Sequence, residues 1–162
     1  DLHSFPTRRS SDLFVIAGGV RAIKLDKDDE VVSMSLVDPD QELLVVTENG
    51  YGKRTPVKEY KVQVRGGKGL LTYDKSKFKK TGSLIGAMVV DKDDEILLIN
   101  SDGIIIRIRA NEISELGRAT QGVKIMKVGD ETKIVSMAKV IKEDDDKGDE
   151  SKDDEDNDQL RI

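Results

Sequence analysis

A chain of 162 residues that is 36% hydrophobic and 36% charged has room for one ordinary core, but not for a core that uses its whole length. It has no cysteine, which excludes a disulfide scaffold and cysteine-ligated zinc. Its apolar runs, such as Ile96-Leu97-Leu98-Ile99 and Ile104-Ile105-Ile106, fall far short of the ~20 residues that span a bilayer, so the expectation is a soluble cytoplasmic protein with no membrane partner.

Net charge is −5, which on average argues against a polyanionic partner. The average hides a division: residues 14–142 carry 22 Lys and Arg against 19 Asp and Glu, and residues 143–162 carry 3 against 11. Residues 1–13 show neither a period of 2 nor one of 3.6 and lack the apolar centre of a signal peptide, so they read as a non-native or disordered leader. That sets aside His3, the only histidine, and with it any Ser/His/Asp set.

From residue 14 onward the chain reads as strands. Segments 31–37, 42–47, 83–90, 95–100, 104–109 and 134–141 are rich in Val, Ile and Leu and of strand length. Glu48-Asn49-Gly50 and Ser101-Asp102-Gly103 mark hairpin turns, because Asn-Gly and Asp-Gly favour positive φ. No 12-residue stretch has a helical period before the acidic end. The acidic clusters Asp28-Asp29-Glu30 and Asp93-Asp94-Glu95 precede strands and recur, so they read as solvated turns rather than a metal site. Residues 143–158 hold no large apolar side chain and read as a disordered acidic tail.

The strands repeat. Glu42-Leu43-Leu44-Val45-Val46-Thr47-Glu48-Asn49-Gly50 returns as Glu95-Ile96-Leu97-Leu98-Ile99-Asn100-Ser101-Asp102-Gly103 at an offset of 53, which holds from Arg65 to Arg118 and from Gly69 to Gly122. A third register, offset 103, links Gly19-Val20-Arg21 to Gly122-Val123-Lys124 and Val31-Val32-Ser33-Met34 to Ile134-Val135-Ser136-Met137. A period near 50 in strands implies an all-β, propeller-like array of four-stranded blades, two full units and part of a third, that needs neighbouring units to bury its apolar faces.

The segment that carries chemistry is Gln63-Val64-Arg65-Gly66-Gly67-Lys68-Gly69. Three glycines in four positions let the backbone approach a partner closely, and Arg65 and Lys68 can reach phosphate oxygens on either side. Between residues 53 and 80 stand ten basic and two acidic residues, so a polyanion is the implied partner. Candidate contacts are Arg65 and Lys68 with the Gly66, Gly67 and Gly69 backbone, then Lys53, Arg54 and Lys61, with Arg118, Lys124, Arg21 and Lys24 as weaker ones. A nucleotide P-loop does not fit, since the Gly-x4-Gly-Lys-Ser/Thr spacing is missing.

This segment resembles the Gln-Arg-Arg-Gly-Gly-Lys-Gly box of the DNA gyrase A C-terminal domain, matching six of seven positions with Val64 in place of an arginine. Val46-Thr-Glu-Asn-Gly-Tyr-Gly-Lys-Arg-Thr-Pro56 and Gly117-Arg-Ala-Thr-Gln-Gly-Val123 are similar to blades of the same family, and an acidic tail also fits it. The resemblance implies part of a six-bladed β-pinwheel that wraps duplex DNA around a basic rim and supports ATP-dependent negative supercoiling in the bacterial cytoplasm, on the chromosome. It further implies two kinds of partner reached through an N-terminal part, the gyrase B subunit and another copy of gyrase A. ATP and magnesium are implied for the holoenzyme only, and the cleavage tyrosine lies outside this chain. Tyr51, Tyr60 and Tyr73 do not match that tyrosine's surroundings, and Tyr51 and Tyr60 read as packing residues. The family's defining box sits in its first blade, whereas here only one unit follows 63–69, so the segment reads as a late-blade copy. Two other readings are the C-terminal domain of the topoisomerase IV A protein and a protein-docking propeller; the latter predicts Trp-Asp signatures, and the chain has no tryptophan.

Overall fold

The computed structural model describes residues 19–141; the leader at 1–13 and the acidic segment at 143–162 lie outside the described residues. Among these are seven strands: β1 Glu42–Thr47, β2 Tyr51–Pro56, β3 Leu84–Val90, β4 Glu95–Asn100, β5 Ile105–Arg109, β6 Val123–Lys124 and β7 Ile134–Lys139. They form an antiparallel sheet of order β3-β1-β2-β6 and a second of order β5-β4-β7. Among the described residues helix is confined to one turn, Phe78–Thr81, and short 3-10 turns.

The two hairpins obey the same local rule. Gly50 and Gly103 both take φ of +80°, and their N–H groups donate to Thr47 O and Asn100 O at 3.1 Å. Asn49 and Asp102 keep negative φ, so the left-handed step falls on the glycine alone, the pattern of a type I turn closed by a glycine bulge. The repeat also carries the 3-10 turns that follow each hairpin, Val57–Glu59 and Ala110–Glu112.

Sheets and sequence repeats do not coincide, and this is what joins the units. Each hairpin takes its third strand from the start of the next repeat: β1 pairs with β3, and β4 pairs with β7. The first hairpin is also extended by β6, in the register Tyr51↔Lys124 and Gly52↔Val123. Leu44, Val46 and Val90 of the first sheet share one apolar core with Ile96, Leu98 and Ile134 of the second, closed by Ala110, Ile113 and Met126. Burying each large aliphatic side chain contributes about 1.5–3 kcal/mol, so each sheet stabilises the other through this shared core.

Two expectations change. Segment 31–37 forms no strand; Met34 and Leu36 are 95% and 97% exposed. By the repeat it is equivalent to β3 and β7, each of which completes the hairpin of the preceding unit, and among the described residues no hairpin stands in that place for it. Conversely, 51–56 is a strand although Tyr-Gly-Lys-Arg-Thr-Pro lacks an aliphatic pattern. It is covered on one edge by β1 and on the other by β6 and residues 114–116, and Gly52 through Thr55 are buried.

Candidate nucleic-acid interface

The glycine turn at 65–69 is fastened to the segment before it. Gly66 N donates to Ala22 O at 2.8 Å, Lys24 N donates to Gly67 O at 2.8 Å, and Ile23 forms a parallel bridge with Gly67. Gly66 and Gly69 adopt φ of +74° and +77°, which an L side chain takes only with strain. These bonds bring Arg21 and Lys24 beside Arg65 and Lys68, and all four side chains are exposed. Two details depart from a freely presented phosphate cradle. The Gly66 N–H is committed to Ala22, and Lys68 Nζ is paired with Asp26 Oδ1 at 2.8 Å. The hydrogen bond and charge of Lys68 lower the Asp26 pKa, and those of Asp26 raise that of Lys68.

The second copy of the turn, 118–122, has the same backbone. Ala119 stands where Gly66 does, with φ of +53°, and Gly122 where Gly69 does, with φ of +80°. Its anchor is different and overturns two expected contacts. Lys53 is fully buried, with Nζ donating to Gly117 O at 2.7 Å and Thr120 Oγ1 at 3.1 Å. Burial pushes its ammonium down to about 8, against an opposing pull from Glu59. Arg54 is only 6% exposed: its guanidinium pairs with Glu42, and its Nε donates to Ile113 O at 2.8 Å. Neither side chain can reach a surface phosphate. Both stitch the first hairpin to the next unit, as does Thr55 Oγ1 donating to Leu116 O at 2.7 Å. The copies of Glu42 and Arg54, Glu95 and Arg107, also pair, but there the arginine is 60% exposed, with no following unit laid over it among the described residues.

The remaining candidates lie at the surface. Lys61 is exposed ahead of the first turn and Lys124 is exposed on β6, while Arg118 is half-buried, with its guanidinium 5.8 Å from the Tyr60 ring centre. Of the ten basic residues between 53 and 80, all but Lys53 and Arg54 are exposed. The three tyrosines differ in burial. Tyr73 is the buried one, 6.1 Å from Phe78 between ring centres and facing Lys53 Nζ at 5.9 Å, and burial raises its pKa. Tyr51 and Tyr60 are half-buried and carry cations on their rings. The acidic clusters cap turns: Asp26 N and Asp91 N donate to Asp29 Oδ2 and Asp94 Oδ2 at 3.3 and 2.7 Å.

Comparison with known proteins agrees with this architecture. The family described as DNA gyrase C-terminal domain, beta-propeller, matches residues 16–38, 41–91 and 94–141. The DNA gyrase A protein of Mycolicibacterium smegmatis is 43% identical over 128 residues, 78% of this chain and 15% of the relative. That of Thermotoga maritima is 44% identical over 129 residues, 78% of this chain and 16% of the relative. That of Staphylococcus aureus MRSA252 is 39% identical over 148 residues, 90% of this chain and 16% of the relative. The chain thus spans about a sixth of the length of these relatives. Among solved structures, a DNA gyrase A C-terminal domain aligns with a TM-score of 0.58 at 39% identity, over 62% of this chain and 33% of that one. The C-terminal domain of DNA topoisomerase IV aligns with a higher TM-score, 0.69, over 75% of this chain and 38% of that one, but at 23% identity. The higher score measures shared blade geometry, and the identity separates the two relatives in favour of gyrase. With a matching family over most of its length, a repeated hairpin unit and the glycine turn in register, this chain belongs to the DNA gyrase A C-terminal, β-propeller family.

Proposed function

We propose that this chain is the DNA-binding and DNA-wrapping part of a gyrase A protein. The observation that carries the reading is the glycine turn at 65–69, which presents exposed Arg65 and Lys68 beside Arg21 and Lys24, in a repeat whose second copy keeps the same backbone. Its work is electrostatic and geometric. Lysine and arginine side chains on successive units neutralise phosphates without reading bases, and counterion release supplies affinity. Bending a duplex around such a surface costs on the order of 1–6 kcal/mol, which these distributed contacts offset.

In the holoenzyme, wrapping presents a neighbouring duplex segment to the gate with fixed handedness, and ATP-driven strand passage converts it to negative supercoils. The cleavage tyrosine, the ATP and magnesium sites, the gyrase B subunit, and the other gyrase A copy act through other parts of that assembly. Its setting is the bacterial cytoplasm, on the chromosome.

The test is binding of the full chain to a ~40-bp duplex across a salt series, beside Arg65→Glu/Lys68→Glu, both checked for fold by circular dichroism. Steep salt-dependent binding, mostly lost in the variant, is expected. Folded wild-type chain without salt-sensitive binding overturns the reading.

A further inference from the structure

The two glycine turns share a backbone but are not held alike. In the first, residues 65–69, a left-handed step falls on Gly66, and the main-chain bond from Lys24 N to Gly67 O is 2.8 Å. In the second, residues 118–122, the same step falls on Ala119 at φ of +53°, and the corresponding bond from Asp74 N to Thr120 O is 3.4 Å. That region of φ disfavours an L side chain relative to glycine. The second turn therefore has more strain to contain and a longer main-chain anchor to contain it with.

Lys53 of the first hairpin makes up the difference. Its ammonium donates to Gly117 O at 2.7 Å and to Thr120 Oγ1 at 3.1 Å, and that hydroxyl donates to Gly117 O at 2.9 Å. The three groups close on one another and bracket Arg118 and Ala119 from both ends. The first turn carries neither feature that this clamp serves: Gly66 stands in the place of Ala119, and Gly67, in the place of Thr120, has no hydroxyl. Among the described residues Lys53 is also the one lysine that is buried, which sets it apart from every surface cation. The rest of the setting comes from the same unit. Arg118 N donates to Glu59 Oε2 at 3.2 Å, and the Arg118 guanidinium stands 5.8 Å from the Tyr60 ring centre.

We propose that Lys53 is a positioning residue for DNA binding: by bracketing Ala119 it holds the 118–122 turn in the left-handed conformation that presents Arg118 to a phosphate of the duplex. The inference rests on the DNA-binding reading above and adds to it a buried group that acts on DNA only through the turn of the next unit. Glycine at 66 takes its conformation unaided, whereas alanine at 119 takes it because the preceding unit's lysine holds the residues on either side.

The experiment is fluorescence anisotropy of the full chain on a ~40-bp labelled duplex between about 50 and 300 mM salt, with each variant checked for fold by circular dichroism. Loss of the Arg118 contact makes the slope of log affinity against log salt shallower by about 0.9, directly in Arg118→Gln and through the turn in Lys53→Met. The two losses do not add in Lys53→Met/Arg118→Gln. Lys53→Met/Ala119→Gly recovers the wild-type slope although it still lacks the lysine charge, because glycine needs no clamp. A folded Lys53→Met chain with the wild-type slope overturns the proposal, as does a loss that Ala119→Gly fails to recover, since Lys53 is then merely structural. If Lys53→Met does not fold, Thr120→Val, which removes one of the two acceptors, decides instead: a slope loss recovered by Ala119→Gly supports the clamp, and an unchanged slope overturns it. An unchanged slope in Arg118→Gln overturns the proposal and leaves the DNA reading to the 65–69 turn. A wild-type chain with no salt-sensitive binding overturns the DNA reading itself.

Discussion

Lys53 offers a test in which burial, hydrogen bonding and titration all bear on one atom. Its ammonium is fully buried, bonded to Gly117 O and Thr120 Oγ1, and burial lowers its pKa from 10.5 to about 8. The unfolded chain holds the proton up to about 10.5, whereas the folded chain releases it near 8, so between these values unfolding takes up a proton. Stability therefore rises with pH across that window, the reverse of a lysine stabilised by an ion pair. Below pH 8 both states are protonated and the desolvation cost is present in full. A Lys53→Met variant has similar length and no titration, so the difference in unfolding free energy, wild type minus variant, isolates the effect. From pH 7 to 10 that difference is expected to rise by about 2–3 kcal/mol in favour of wild type. Urea unfolding followed by far-UV circular dichroism at each pH measures it. The scan stops at pH 10 because burial raises the pKa of Tyr73, which faces Lys53, and its later ionisation acts in the opposite direction. A difference that stays flat refutes the reasoning, since the buried ammonium would then cost no more than a solvated one.

Paired copies in the repeat supply internal controls for the remaining predictions. Gly50→Ala places a methyl 2.1 Å from Met126 O and must break the bonds of Ile125 N and Met126 N to Gly50 O, whereas at Gly103, with the same φ, nothing lies within 4 Å. Urea unfolding should show about 3–5 kcal/mol lost at Gly50 against about 1–2 at Gly103, and equal losses would show that the steric contact with Met126 is unimportant. Glu42→Gln leaves buried Arg54 without its carboxylate and should cost about 3–5 kcal/mol. Its copy Glu95→Gln faces the exposed Arg107 and Arg109 and should cost about 1 kcal/mol or less by the same assay. Asp26→Asn frees Lys68 from its pair, so duplex affinity should rise several-fold and the salt slope steepen by about 0.9; unchanged binding would take Lys68 out of the interface.

Much of this protein is legible without coordinates because its strong signals are local. Strands β1, β4 and β5 follow from short aliphatic runs, and both hairpins from a glycine that supplies positive φ. The 53-residue offset predicts that turns 65–69 and 118–122 share a conformation, and they do even where alanine replaces glycine. What the residues could not announce is which segment covers which. Tyr-Gly-Lys-Arg-Thr-Pro looks polar and exposed, yet it becomes buried because residues 113–124 of the next unit lie along it. Lys53 and Arg54 therefore look like surface cations in the sequence, although they are interior fasteners with partners about 60 residues away. In the same way 31–37 has the composition of a strand, but a strand exists only where another offers its hydrogen bonds, and among the described residues no hairpin receives it. Composition and periodicity settle which pieces pair as hairpins and where charge accumulates. Long-range docking between units settles which of those charges face solvent, because burial belongs to the neighbour that covers a residue and not to the residue.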